Sequence, residues 1–382
     1  MKTERGESVH ELKFRDPAAA AALSRTIART VAAIGRPRVT LMHVCGSHEQ
    51  AIARFGLRSA FPAALDLVMG PGCPVCVTDQ VEIDEAVALA ERGVRVATYG
   101  DMLRVPGSSR SLADVRAGGA SVHVVYGIGD ALELARRDPS PIVFFASGFE
   151  TTAAATAAAL VSGTPGNFFV LSAHRYIPPA MEIVAAIPGS RVEGFLAAGH
   201  AATITGWGVF EPLAARTRLP VVVAGFEPLD MLAAIAALAA AVRDGRHDVQ
   251  NAFPRCVTRN GNQRALDQLW RVFEPALGRW RGIAEVPGGS LALRREWAHV
   301  DARRHFDLRD VSSPPPSAIA RQCQCGAILS GRASPAECPL FGRECLPDAP
   351  VGACMVSTEG TCRIAFEYGG RRDLSVIGTE RA

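Results

Sequence analysis

Six of the ten cysteines fall within the forty residues from Cys323 to Cys362. They are Cys323, Cys325, Cys338, Cys345, Cys354 and Cys362, set among Gly and Pro turns with little helical or strand period. Such a segment has no amphipathic face to bury and needs a cross-link to hold it. Structural zinc sites normally use ligand pairs two to four residues apart. Here the intervening residues number one, twelve, six, eight and seven, with no CxxC pair. The spacing favours four thiolates on a cubane iron–sulfur cluster over a zinc ribbon or a set of redox disulfides. Two of the six then remain as a free thiol pair.

The other cysteines are read according to compartment. The longest apolar run, Met231 to Val242, is well short of the roughly 20 residues that span a membrane. The stretch from Met1 to Asp16 is charged throughout and lacks the apolar centre of a secretory signal. A cytoplasmic protein is expected, and in that reducing setting cysteines serve as metal ligands or redox thiols rather than passive staples. The 48 % hydrophobic and 21 % charged residues exclude dominant disorder. A net charge of +3 gives no reason to expect nucleic acid or a membrane surface as partner. Only Lys2 and Lys13 of the 41 basic residues are lysine, and the arginines are scattered.

A length of 382 residues suggests two or three domains. β-rich runs at Val39 to Val44, Leu65 to Met69, Val94 to Tyr99 and Ser121 to Tyr126 alternate with helical stretches near His48 to Phe55, Val81 to Glu91 and Asp130 to Arg136. The pattern restarts with strands at Pro141 to Ala146, Asn167 to Ser172 and Leu219 to Ala224, the last feeding a helix from Leu229 to Val242. Strand–helix alternation with Gly-containing turns predicts parallel sheets. The fold class expected is α/β: two similar parallel-sheet domains, 36–139 and 140–250, plus a cysteine-rich iron–sulfur module, 251–382. Residues 1–35 are expected to pack on that module, and Ser312 to Pro316 is a proline break within it.

Two motifs sit at strand ends, where open α/β sheets bind ligands. Cys45 ends the first strand, and the expectation is an exposed thiol activated by the following helix, which Ser47 would cap. His48, one helical turn on, would reach the same point as ligand, base or hydrogen-bond donor. Cys45 with His48 also fits a hydrolytic pair, although no oxyanion-hole motif or third member accompanies it. Cys73-Pro74-Val75-Cys76 follows the second strand and has the spacing of a redox dithiol at a helix start. Cys256 reads as a small core residue, and His174 and His200 as core or loop histidines. Gly148-Phe149-Glu150 and Gly225-Phe226-Glu227 either line a cleft or make simple turns. No GxxxxGK[ST] or strand-borne GxGxxG is present.

Together these residues resemble one family. Cys45-Gly46-Ser47-His48-Glu49, the block from Gly70 to Val77, Ser147-Gly148-Phe149-Glu150-Thr151-Thr152, Gly225-Phe226-Glu227-Pro228-Leu229-Asp230 and the block from Val351 to Ser357 look like the signature blocks of the HypD hydrogenase maturation family. Asn260-Gly261-Asn262 and Trp280-Arg281-Gly282-Ile283 add to the likeness, which runs from about residue 40 to 368. Asp79 departs from the family's proline after the CPVC block, and the position after His48 varies.

The resemblance implies a scaffold with redox activity, rather than a turnover enzyme, for assembling the Fe(CN)₂CO unit of [NiFe] hydrogenases. It implies a HypC-type chaperone and a HypE-type cyanide donor as partners. Carried onto this chain, Cys45 would be the iron-binding thiolate with His48 its functional neighbour, and Cys73 and Cys76 the redox pair beside it. Cys323, Cys338, Cys345 and Cys362 would hold a [4Fe-4S] cluster, with Cys325 and Cys354 the auxiliary pair. The residues themselves leave open whether Cys323 or Cys325 is the first cluster ligand. The competing readings are a cluster-linked thiol–disulfide reductase and a zinc-stabilised interaction module.

Overall fold

The computed structural model describes residues 14–309, 311 and 314–369. Both lysines and part of the proline break lie outside the described residues. Apolar runs with no polar face form strands buried on both sides, as parallel sheets require. In β1 (Val39–Val44) every residue is buried. β2 (Leu65–Met69) pairs with it in parallel. β3 (Arg95–Thr98), β4 (Val122–Val124), β5 (Ile142–Gly148) and β6 (Phe168–His174) make a second, four-stranded parallel sheet in the order β4-β3-β5-β6.

The chain then returns to the first sheet. β7 (Gly194–Ala198) pairs with β1, β8 (Val221–Ala224) with β7, and β9 (Val249–Asn251) with β8, giving the order β2-β1-β7-β8-β9. An α/β fold with two parallel sheets is therefore present. The linear division at 139/140 is corrected, because it does not separate the sheets: the four-stranded unit is inserted between β2 and β7. Both sheets use the same strand–helix alternation, so the local pattern marks strands without saying which sheet receives them.

Two further expectations about the ends of the chain are corrected. The helix Pro17–Ile34 packs on the helix Pro228–Arg243 beside the five-stranded sheet, not on the cysteine-rich segment. Its Ile27 and Val31 join Ile235, Leu238 and Leu41 in one buried cluster. The first part of 251–382 likewise belongs to the second sheet. The helix Gln263–Val272 leads into an antiparallel hairpin of β10 (Phe273–Trp280) and β11 (Ala284–Leu293). Leu269, Val272, Phe273 and Leu291 there share a core with Phe144 and Val170.

The cysteine-rich segment lies over the carboxyl ends of the first sheet. Its helix Thr361–Tyr368 packs on the helix Gly46–Arg54, and its short helix Ala353–Val356 packs on Pro74–Val77. One apolar cluster contains Cys45, Cys73, Cys76, Cys338, Cys345, Cys354 and Cys362, with Cys323 and Cys325 packed against it. Cys256, expected in the core, is instead exposed, on a loop whose buried anchors are Phe253 and Val257. No helix among the described residues is long and apolar enough to cross a membrane.

Candidate functional site

Cys45 follows β1 and is the N-cap of the helix Gly46–Arg54. The expected exposure is corrected: the residue is 1 % exposed. Burial pushes its thiol up to about 12, and nearby Glu359 adds to the rise, while the backbone amides of Ser47 and His48 oppose it. These are the amides that a helix start turns toward its N-cap side chain. Hence the backbone of His48, rather than its ring, serves the sulfur. The His48 imidazole is buried, with Nε2 3.4 Å from the Ala224 carbonyl and the ring 5.0 Å from that of Phe226. Desolvation, with His43 and His200 nearby, holds it neutral. Ser47 does not cap the helix, but donates 2.9 Å to Glu359 Oε1.

The imidazole that does face Cys45 is that of His200, at the start of the helix that follows β7. Its Nδ1 lies 3.9 Å from Cys45 Sγ, and its ring stacks on Phe226 at 5.3 Å. Burial lowers its pKa. Phe226, in the loop after β8, thus lies against both His48 and His200. Beneath Cys45, His43 approaches the Cys45 carbonyl with Nδ1 at 3.2 Å and Glu49 with Nε2 at 2.8 Å. Arg58 donates to both Glu49 oxygens at 2.9 and 2.7 Å. Burial alone would raise the Glu49 carboxyl, yet Arg58 and His43 hold it down at about 2. This buried relay braces the backbone from which Cys45 projects.

The CPVC block is the second wall. Gly72 presses onto Cys45 so closely that a Cβ there would lie 2.1 Å from the Cys45 nitrogen. Gly46 N donates to Gly72 O at 3.0 Å. Cys73 caps the short helix Pro74–Val77, accepts 3.2 Å from Cys76 N, and is joined to Cys76 in a disulfide. Both sulfur-bearing residues are fully buried. At the far end of that helix the Thr78 hydroxyl meets that of Ser147, at the end of β5, at 3.0 Å.

The six clustered cysteines line one cavity with Phe341, Gly352 and Met355. Cys325 and Cys354 bring their sulfurs to 2.7 Å. Cys354 also interacts with the Cys362 thiol; both partners raise its pKa, while Cys354 lowers that of Cys325. Burial lifts the Cys323 thiol to about 12, and Cys325, Cys338 and Cys345 add to the rise. Cys345 accepts from Val351 N at 3.4 Å. A Cβ on Gly352 would lie 2.7 Å from Cys323 Sγ, so only glycine lets the backbone pass this sulfur wall. Buried thiols backed by amide donors suit a cationic iron–sulfur group that takes them as thiolates. Among the described residues, no three His, Cys, Asp or Glu side chains converge on a single metal ion.

Sequence comparison shows the family of the chain. The family described as "HypD: Hydrogenase formation hypA family" matches residues 18–369. The chain belongs to the HypD family of hydrogenase maturation factors. It is 41 % identical over 377 residues to the hydrogenase maturation factor HypD of Rhizobium leguminosarum bv. viciae, covering 95 % of this chain and 97 % of that one. Identity to the HypD of Cupriavidus necator is 40 % over 381 residues, covering 96 % and 98 %. A putative hydrogenase expression/formation protein of Methanocaldococcus jannaschii is 42 % identical over 335 residues, covering 87 % and 92 %. The family resemblance read from the signature blocks thus extends across almost the whole chain.

The geometry brings Cys45, Cys73 and Cys76 together, and the six clustered cysteines around one cavity. It leaves the His48 ring off the sulfur and adds His200, which follows β7 in the run Ala197-Ala198-Gly199-His200. That position, at a strand's carboxyl end, was the one available signal. His174 is a core histidine, bonded to Thr156 at 3.1 Å. Glu150 is buried with Oε1 accepting from Ile177 N at 2.8 Å and Oε2 without a partner among the described residues.

Proposed function

We propose that this chain is the scaffold on which an Fe(CN)₂CO unit is built for a [NiFe] hydrogenase, with Cys45 as the iron-binding thiolate. The observation that carries the reading is the contact of the Gly70–Cys73 loop with Cys45, which puts the Cys45 thiol next to the loop closed by the Cys73–Cys76 disulfide. Thiolate is a soft, electron-rich ligand suited to iron, and donation from Cys45 favours the low-spin Fe(II) that cyanide and carbon monoxide need. The amides of Ser47 and His48 are placed to stabilise the sulfur's charge, and His200 to accept its proton or to bond the iron's ligands. Burial beneath the cysteine-rich segment excludes water. A HypC-type chaperone would share the iron and a HypE-type partner would deliver cyanide.

Cys323, Cys338, Cys345 and Cys362 would hold a [4Fe-4S] cluster, which when bound supplies one-electron chemistry beside Cys325 and Cys354. Those two form the auxiliary pair. Reducing the Cys73–Cys76 disulfide takes two electrons and two protons, and the contact of the helices bearing Cys354 and Cys76 supports thiol exchange toward that site. Burial of both disulfide residues weighs against the alternative, a reductase acting on a partner's disulfide, because no external thiol reaches them. The test is anaerobic co-purification with the HypC-type partner followed by infrared and Mössbauer spectra. Cyanide and carbonyl stretches are expected. Their absence, together with robust dithiol turnover, would replace the scaffold with the reductase.

A further inference from the structure

The hairpin of β10 and β11 belongs to the second sheet, yet its turn reaches both thiol sites. Its base is tied to the end of β6. Ser172 Oγ donates to Leu291 O at 2.8 Å, and Tyr176 N donates to Gly289 O at 3.1 Å. Trp280 closes β10 just before the turn. It is buried, donates through Nε1 to Gly289 O at 3.0 Å, and stacks on Phe149 at 6.1 Å. Gly282 then turns the chain back with φ +70°, a conformation glycine adopts without steric cost.

On one side the turn holds the CPVC block. Arg281 N donates at 3.1 Å to the carbonyl of Val77, the residue after Cys76. Arg281 Nη2 donates to Pro106 O at 2.8 Å, and its Nη1 is buried without a partner among the described residues. A second tie runs through buried Arg175, which donates to Arg279 O at 2.8 Å and to both oxygens of Glu82. Glu82 in turn accepts from Asp79 N at 3.0 Å, completing the cap of the helix Gln80–Glu91 that follows the CPVC block.

On its other side the turn meets the helix Cys325–Leu329. A Cβ on Gly326, the residue after Cys325, would lie 1.8 Å from Gly282 O, and one on Gly282 would lie 3.0 Å from Gly326 Cα. Two bare backbones in contact leave no side-chain slack between them, so a shift on one side is felt on the other. The turn thus spans the gap between the residue after Cys76 and the residue after Cys325.

We propose that the turn 279–283 is a strut that keeps the Cys325–Cys354 pair in register with the Cys73–Cys76 disulfide, with Arg281 and Gly326 as positioning residues for exchange between them. In that exchange Cys325 and Cys354 give up two electrons and two protons and join in an S–S bond, while the Cys73–Cys76 bond breaks and takes them up. A dithiol reductant restores the first pair by entering at Cys325, which is half-buried, whereas Cys73 and Cys76 are enclosed. The exchange passes through a mixed disulfide, so it tolerates little error in sulfur position. This inference rests on the proposed roles of the two pairs, and not on Cys45 binding iron.

The test is reduction of the anaerobically purified full chain by dithiothreitol, quenched in acid at timed intervals, alkylated, and read cysteine by cysteine by mass spectrometry. Cys354→Ser breaks the relay and should slow the opening of the Cys73–Cys76 disulfide at least 100-fold, the loss expected when reacting groups are no longer held together. Gly326→Ala forces the turn away and should slow it on the order of 100-fold, the cost of a misplacement of about 1 Å. Arg281→Met loses one charge-assisted hydrogen bond and should slow it roughly tenfold, with most of the rate restored in Arg281→Lys. In the Cys354→Ser background neither substitution should slow it further, a non-additivity that general loosening of the fold does not produce. Native rates in Gly326→Ala and Arg281→Met, with cluster absorption retained, would overturn the strut. Equal slowing in the Cys354→Ser background, or a native rate in Cys354→Ser itself, would overturn it too. Should Gly326→Ala lose the cluster absorption, Arg281→Met and Arg281→Lys decide from outside the cysteine-rich segment. The expected rates, without cyanide and carbonyl bands in the native chain purified with a HypC-type protein, would keep the strut and remove the iron scaffold.

Discussion

Cys45 and His200 are 155 residues apart in sequence, yet the thiol sulfur of one lies 3.9 Å from the imidazole nitrogen of the other. They meet because β1 and β7 are hydrogen-bonded neighbours, with Val44 paired to Ala197. A parallel pair ends on one edge, so the loops after both strands open at the same place. The two side chains should fail in different ways. Cys45→Ala removes the free thiol at that edge and, on the proposed reading, should abolish the cyanide and carbonyl stretches of the chain purified with a HypC-type protein. His200→Ala keeps the thiolate and should lower iron retention by roughly tenfold, as lost support of a metal ligand does. Full iron retention in His200→Ala, measured by elemental analysis, would make the contact incidental.

Cys73→Ser breaks the disulfide beside Cys45 without touching the cavity lined by the six clustered cysteines. Cluster absorption should remain while hydrogenase maturation is lost. Retained maturation in a complementation assay would reduce the CPVC block to a structural turn.

Iron content distinguishes the clustered cysteines from one another. Anaerobically purified chain should carry about four iron atoms in a cubane, and Cys323→Ser should lose them. Cys325→Ser should keep them, because Cys325 is occupied with Cys354 at 2.7 Å. The reverse result would exchange the roles of Cys323 and Cys325, and zinc in place of iron would discard the cluster.

Local features were legible in the sequence, and long-range ones were not. Cys45 and Cys73 stand at strand ends because β1 and β2 are apolar runs that stop in Gly-containing loops. β7 left a faint trace, since Gly194 and two alanines lack the β-branched bulk that marks a strand. Without it neither the pairing of His200 with Cys45 nor the return of the chain to the first sheet was visible. The burial of Cys45 was equally hidden, because Glu359 reaches Ser47 across 312 residues. The Cys256 expectation failed since composition alone cannot separate a core thiol from one on a loop.

The buried His43–Glu49–Arg58 relay should make an acid-sensitive contribution. The Glu49 carboxyl lies at about 2 in the folded chain against an ordinary 4.5. On acidification the unfolded chain takes up this proton first, so the stabilisation is complete above 4.5 and drains as pH falls toward 2. Glu49→Gln should cost roughly 3 kcal/mol at neutral pH, in the range for breaking a buried pair. Urea unfolding of both chains at a series of pH values checks this. A difference independent of pH would mean that the relay acts through shape alone.

Glu150 should behave in the opposite sense. Burial pushes its carboxyl up to about 7, against the partial relief offered by the Ile177 and Glu150 amides. Between 4.5 and 7 the folded chain therefore keeps a proton that the unfolded chain has released, and stability falls as pH rises through that window. Glutamine is a neutral isostere whose oxygen can still accept from Ile177 N, so Glu150→Gln removes the ionisation without removing that bond. The variant should match the native chain near pH 4.5 and exceed its stability by roughly 3 kcal/mol above pH 7, from about 1.4 kcal/mol for each pKa unit. Equal unfolding midpoints at pH 8 would show that the carboxylate finds charge compensation on ionising, and the uncompensated Oε2 would then have to be supplied with a donor.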